Sequence, residues 1–140
     1  MTKKSIAKAA AAILFLGVTG WVVARQAQKQ EQTMTPGEVD ALIASDTTVV
    51  LLDVRTPAEW NGTLGHMKDA LLIPLPELEQ RVSELEQHRG RTIVVYCRTG
   101  NRSGKAASIL NEKGFKAYNM VGGMVRWNAE HRPSVVESQP

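Results

Sequence analysis

Residues 92–96, Thr-Ile-Val-Val-Tyr, are five consecutive strand formers with no polar alternation, and Cys97 and a Gly-bearing turn follow at once. A strand with one wet face alternates apolar and polar side chains, so an unbroken run predicts a strand covered on both faces, as in a parallel sheet. Residues 103–113 carry Ala106, Ala107, Ile109 and Leu110 at helical spacing, which predicts that a helix follows the turn. Cys97 is then expected at a strand's carboxyl end, facing a helix amino terminus.

The same alternation runs along the chain. Thr35-Pro36-Gly37-Glu38 reads as a helix start, with Thr35 as cap, Pro36 in the first turn and Glu38 closing a capping box. Residues 49–54 read as a second buried strand. Thr56-Pro57-Ala58-Glu59 repeats the cap pattern for a short helix that ends at Asn61-Gly62. Residues 71–73 form a short strand stopped by Pro74, and residues 76–88 an amphipathic helix with Leu78, Val82 and Leu85 on one face, ended by Gly90. Gly114 closes the helix after Cys97, and residues 115–120 give another strand. Strands alternating with helices through short loops predict an α/β fold, a parallel sheet with helices on both faces and a ligand site at the strands' carboxyl ends.

Chemistry concentrates at Cys97, the chain's single cysteine. In the turn that follows it, successive backbone N–H groups and a helix dipole supply positive potential, and Arg98 and Arg102 add full charges. These favour the thiolate, the reactive form of the side chain. A buried apolar filler is the alternative for a lone cysteine, and the flanking Arg98, Gly100 and Arg102 argue against it.

The segment Tyr96-Cys97-Arg98-Thr99-Gly100-Asn101-Arg102-Ser103 resembles the active-site loop of single-domain rhodaneses, sulfurtransferases that carry sulfur as a cysteine persulfide. Residues 51–60 (Leu-Leu-Asp-Val-Arg-Thr-Pro-Ala-Glu-Trp), residues 65–74 (Gly-His-Met-Lys-Asp-Ala-Leu-Leu-Ile-Pro) and residues 122–127 (Gly-Gly-Met-Val-Arg-Trp) are similar to three further motifs of that family, in the same order. The one departure is Lys68-Asp69, where the family usually has Pro-Gly. The resemblance covers about residues 35–130 and implies a five-stranded, mainly parallel sheet with helices on both faces. It further implies Cys97 as the nucleophile, Arg98, Thr99, Gly100, Asn101 and Arg102 as the substrate-binding loop, and Asp53, Arg55 and Ser103 in support. No cofactor is implied. The expected partners are a small anionic, thiosulfate-like sulfur donor and a thiophilic acceptor, with the N–H groups of residues 98–102 stabilising charge on the sulfur. Arg102 is expected to brace the loop from inside. For Asp53 two readings stand side by side: carboxylate partner of Arg102, or a local cap beside Arg55.

Two other function classes compete with sulfur transfer for such a loop. Related dual-specificity phosphatases and arsenate-handling enzymes use a Cys-x5-Arg loop, one residue longer than the Cys-x4-Arg here, and a phosphoryl group needs donors for three equatorial oxygens. A non-catalytic binding module on the same scaffold is the other; such modules often lack the cysteine that this chain keeps. A single cysteine excludes an internal disulfide framework, and His66, His88 and His131 lack ligand spacing, so no metal is expected. Trp60 and Trp127 read as packing, and Asn61-Gly62-Thr63 as a turn rather than a glycosylation acceptor.

The amino terminus differs from the rest. Lys3, Lys4 and Lys8 lead into residues 9–24, which carry no charge, and residues 6–24 approach the roughly 20 residues that cross a bilayer. An N-terminal hydrophobic helix is expected over residues 1–24, retained as a membrane anchor or cleaved as a signal peptide near Ala24. A polar linker over residues 25–34, a domain over residues 35–132 and a disordered tail over residues 133–140 follow. The basic leading end is expected in the cytoplasm and the domain across the membrane, in the periplasm of a bacterium. Of 17 Lys and Arg, three lie in that leader without an acid; the other fourteen balance the 14 Asp and Glu. The formal +3 therefore belongs to the leader, and no nucleic-acid partner is expected. Around Cys97, Arg98, Arg102 and Lys105, with Arg55 and Arg126 nearby, are expected to form a local positive funnel.

Overall fold

The computed structural model describes residues 32–136. The hydrophobic leader over residues 1–24 and most of the linker lie outside that range. Among the described residues no helix is long and apolar enough to cross a membrane.

Among the described residues five parallel strands form one sheet. They are β1 (Thr33–Met34), β2 (Val50–Asp53), β3 (Leu71–Leu72), β4 (Thr92–Tyr96) and β5 (Lys116–Met120), in the order β1-β5-β4-β2-β3. Thr33 and Met34, expected in the linker, instead pair with Asn119 and Met120. Two residues carry too little pattern to be read as a strand; the exposed ladder of β5 recruits them.

Alternate side chains of the central strands feed two cores. On one face Val50, Leu52, Ile93, Val95 and Cys97 pack with Ala106, Ala107 and Leu110 of helix α4 (Asn101–Glu112). On the other, Leu51, Val94 and Tyr96 pack with Val39 of α1 (Pro36–Ser45) and with Met124 and Trp127 of α5 (Gly123–Ala129). Every residue of β2 is buried, and β4 is buried from Ile93 to Tyr96. The unbroken apolar runs are thus explained by helices on both sides.

Both expected capping boxes form. Thr35 and Glu38 bond reciprocally at the start of α1, and Thr56 and Glu59 at the start of α2 (Pro57–Trp60). The segment expected as one helix over residues 76–88 is broken. It runs as a 3₁₀ turn (Leu75–Glu77), one α turn, α3 (Leu78–Arg81), and a second 3₁₀ stretch (Val82–His88). Three-residue winding superposes i and i+3, which places Leu75 over Leu78 and Val82 over Leu85 against the sheet.

Residues 133–136, expected to be disordered, lie against the domain; residues 137–140 are outside the described range. Val135 and His66 exchange backbone hydrogen bonds of 2.8 and 2.9 Å, and Trp127 donates its indole N–H to Pro133 O at 2.9 Å. Asp69, standing where the resembled family has glycine, adopts φ +60. Aspartate tolerates this left-handed region better than most side chains.

Candidate active site

Cys97 follows β4 directly, and α4 begins at Asn101, so four residues turn the chain from strand to helix. Gly100 makes the turn. Its φ is +105, and a Cβ there would come within 3.1 Å of Gly122 N. Behind the loop, Met124 N and Val125 N at the start of α5 donate to Cys97 O and Arg98 O at 2.9 and 3.0 Å. Gly123 permits this contact, since a Cβ at that position would sit 2.5 Å from the Cys97 and Arg98 carbonyls. The Gly-Gly-x-x-x-Trp motif therefore holds the Cys97-loop backbone from the rear while Trp127 anchors the helix in the core.

The cysteine is 1% exposed, with its sulfur inside the loop. Gly100 N donates to Sγ at 3.1 Å and the Ser103 hydroxyl lies 3.3 Å away. Burial pushes the thiol up, but hydrogen bonds from the Ser103 hydroxyl and from the N–H groups of Ser103, Gly100 and Thr99 outweigh it, and the net shift is downward. Of the span of residues 98–102 expected from sequence, Thr99 and Gly100 act on the sulfur, and Ser103, one residue beyond it, adds its N–H and its hydroxyl. Arg102 is near enough for the sulfur's charge to contribute to raising the Arg102 pKa, after the larger effect of Glu59.

Two arginine–carboxylate pairs flank the loop. Arg102 does not reach Asp53; it makes a two-pronged pair with Glu59, Nη1 to Oε2 at 2.8 Å and Nη2 to Oε1 at 2.6 Å. Arg102 lowers the Glu59 carboxyl to about 2, against the cost of burial, and Thr56 adds to the lowering through its N–H and hydroxyl. Asp53 takes the second reading. Its carboxylate receives the Arg55 Nη2 at 2.6 Å and Nε at 3.0 Å, with the Arg55 N–H at 2.9 Å. Arg55 then ties in Gly65 O at 2.7 Å and Glu59 O at 3.3 Å, which positions the residue that holds Arg102.

The expected positive funnel is smaller than the count of arginines. Asp53 neutralises Arg55, Glu59 neutralises Arg102, and Arg126 turns to Glu130 at 2.8 Å. Among the described residues Arg98 and Lys105 enter no ion pair. Arg98 is exposed and, with Arg55, Glu59 and residues 62–64, lines a cavity of about 230 Å³. Thr99 is exposed, as is Asn101 at the start of α4. Trp60 stacks on His66 at 3.7 Å, a packing role for both. Among the described residues no group of three His, Cys, Asp or Glu side chains could hold a metal ion.

Two site residues escaped the sequence reading. Glu59 was legible only as a helix-capping residue, because its partner lies 43 residues away. Asn119 sits in the last strand, 4% exposed, and its Oδ1 is 2.7 Å from the Ser103 hydroxyl. An amide within a strand that covers a buried core is the signal that could have singled it out.

Known proteins are similar to this chain in sequence and in fold. The family model for the rhodanese-like domain matches residues 35–130. The chain is 35% identical over 105 residues to a protein of Mycobacterium tuberculosis named "Probable adenylyltransferase/sulfurtransferase MoeZ", covering 74% of this chain and 26% of that one. It is 34% identical over 73 residues to the thiosulfate sulfurtransferase PspE of Escherichia coli, covering 52% of this chain and 68% of that one. The crystal structure of a rhodanese-related protein from Thermoplasma volcanium superposes with a TM-score of 0.68 at 29% identity, covering 76% of this chain and 99% of the other. With the motifs in order, the parallel sheet and the cysteine loop in place, the chain belongs to the rhodanese-like domain family.

Proposed function

We propose that the protein is a sulfurtransferase that takes a sulfane sulfur from a thiosulfate-like donor onto Cys97 and delivers it to a thiophilic acceptor. The observation that carries this reading is the Cys97 sulfur itself, ringed by the Gly100 N–H and the Ser103 hydroxyl in a four-residue turn at a helix amino terminus. The Gly100 N–H stabilises a thiolate before attack and again when it leaves, with the Ser103 hydroxyl as a second donor within reach of the sulfur. Sulfurtransferase-named relatives support the same reaction class.

The Cys97 thiolate attacks the donor's outer sulfur, the new S–S bond forms, and the donor's own S–S bond breaks. From thiosulfate, sulfite departs with the electron pair. An acceptor nucleophile then attacks the outer sulfur of the persulfide, and Cys97 leaves as thiolate with its pair. Arg98 receives the anionic end of the donor, as an exposed cation beside the loop with no ion-pair partner among the described residues. The proposal includes the leader: residues 6–24 hold the domain on the periplasmic side of a bacterial inner membrane, supported by three lysines ahead of an uncharged apolar run. Fractionation of cells carrying the full chain, with protease added from outside the inner membrane, tests that placement.

Thiocyanate formation from thiosulfate and cyanide, measured on the full chain and on Cys97→Ser, tests the chemistry. Turnover and a one-sulfur mass gain on the protein after thiosulfate are expected, both lost in the variant. Turnover that survives Cys97→Ser overturns the proposal.

A further inference from the structure

Ser103 is fully buried on the first turn of α4, between two partners that want the same proton. Its hydroxyl oxygen lies 3.3 Å from Cys97 Sγ and 2.7 Å from Asn119 Oδ1. A serine hydroxyl donates once. The 2.7 Å separation is the preferred length of an O–H···O bond, so the amide oxygen is a full competitor for that donor. Asn119 reaches the site from the neighbouring strand: it pairs with Val95 in register, two residues before Cys97, and so presents its side chain on the Cys97 face of the sheet. Its backbone is fixed by an N–H bond to Gln32 O at 2.8 Å.

We propose that Asn119 is a positioning residue that competes with Cys97 for the Ser103 proton and thereby sets how strongly the sulfur attacks and how readily it leaves. With the hydroxyl turned to Asn119, the sulfur keeps its backbone N–H donors and remains the more basic nucleophile. With the hydroxyl turned to Cys97, negative charge on sulfur gains one more donor and the thiolate becomes the better leaving group. Thiol–disulfide exchange responds in these two senses: nucleophilicity falls with thiol basicity, while departure is faster for the less basic sulfur. A shared hydroxyl lets one cysteine serve both halves of a transfer cycle. The assignment of the two halves rests on the sulfur-transfer reading; the competition for the proton does not.

The test is the pH dependence of iodoacetamide alkylation on the full chain, which reports one site because Cys97 is its single cysteine. Wild type, Asn119→Leu, Ser103→Ala and the double variant are compared. The surrounding charges, Arg98, the Arg102–Glu59 pair and the Asp53–Arg55 pair, are common to all four. Asn119→Leu releases the hydroxyl to the sulfur, so the inflection moves to lower pH and the rate well below it rises by about threefold, the size of a modest net hydrogen bond. Ser103→Ala moves the inflection upward, and the double variant coincides with Ser103→Ala. An unmoved or upward inflection in Asn119→Leu overturns the proposal, as does an equal downward shift in the Ser103→Ala background.

Because Asn119 is buried, a measurement on the unsubstituted protein accompanies the variants. The Asn119 side-chain amide resonances should titrate with the Cys97 inflection and lose that response in Ser103→Ala; resonances that ignore it overturn the proposal. Neither readout needs a sulfur donor. Alkylation that behaves as expected without thiocyanate formation therefore refutes sulfur transfer alone, and turnover without the Asn119 dependence refutes this inference alone.

Discussion

Two arginine–carboxylate pairs of the same 2.6 Å closest approach lie near the Cys97 loop, and their surroundings give them different work. Asp53–Arg55 is 0% and 1% exposed, with both ends committed to backbone atoms of three segments. Glu59–Arg102 is 30% and 35% exposed, at the loop's mouth. A buried pair gains little over apolar packing, but it is costly to break, because the surviving charge has neither partner nor water. A half-exposed pair is screened, and its worth lies in geometry: here it fixes the first turn of α4 to the helix that Thr56 caps. The first pair holds the scaffold under the site; the second holds the loop's rim.

Breaking the buried member should produce the largest effect. Arg55→Met strands the Asp53 carboxylate and frees Gly65 O and Glu59 O, so a loss of about 3–5 kcal/mol is expected in chemical denaturation. Such a loss is a large part of a small domain's stability. A loss below about 1 kcal/mol would mean that water reaches Asp53 and that the two pairs are alike.

The rim pair should give a smaller effect on stability and a clearer one on chemistry. Glu59→Gln weakens both the capping box and the Arg102 brace, worth together about 1 kcal/mol. Because Arg102 holds the folded Glu59 carboxyl near 2, below its usual 4.5, this contribution is complete above the unfolded value and is lost as pH falls toward about 2. Wild type and Glu59→Gln should accordingly converge in thermal stability on acidification. With Arg102 released, kcat/KM for thiosulfate is expected to fall by about tenfold, a loss of about 1.4 kcal/mol in transition-state stabilisation. Unchanged turnover would show that Arg102 braces nothing the reaction uses.

The smallest effect belongs to a third pair. Arg126 and Glu130, 46% and 30% exposed, form an i, i+4 bridge on α5. Arg126→Gln should cost less than about 0.5 kcal/mol and leave the KM for thiosulfate unchanged, which kinetics beside a melting curve would check. A raised KM would return Arg126 to the positive funnel.

Legibility followed the range of the interactions. The capping boxes at Thr35 and Thr56 and the runs of β2 and β4 could be read because a cap spans three residues and a strand's pattern is its own. The region of residues 75–88 was misread in form, since its periodicity fits a helix while docking of Leu75 and Val82 on the sheet tightened it into 3₁₀ turns. Strand β1 and the docked residues 133–136 carry almost no local signal; unpaired backbone groups of β5 and of the His66 loop captured them.

The sequence by itself determined the alternating α/β architecture, the place of Cys97 at a strand's carboxyl end and the polarity of the loop around it. These follow from local periodicity, caps and one residue's neighbours along the chain. Only the tertiary structure decided that Arg102 answers to Glu59, that Asp53 belongs to Arg55, and that Asn119 reaches the hydroxyl beside the sulfur. Which carboxylate an arginine finds, and which acceptor a buried hydroxyl meets, depends on side chains brought together from separate strands and helices, and no spacing within the chain encodes that meeting.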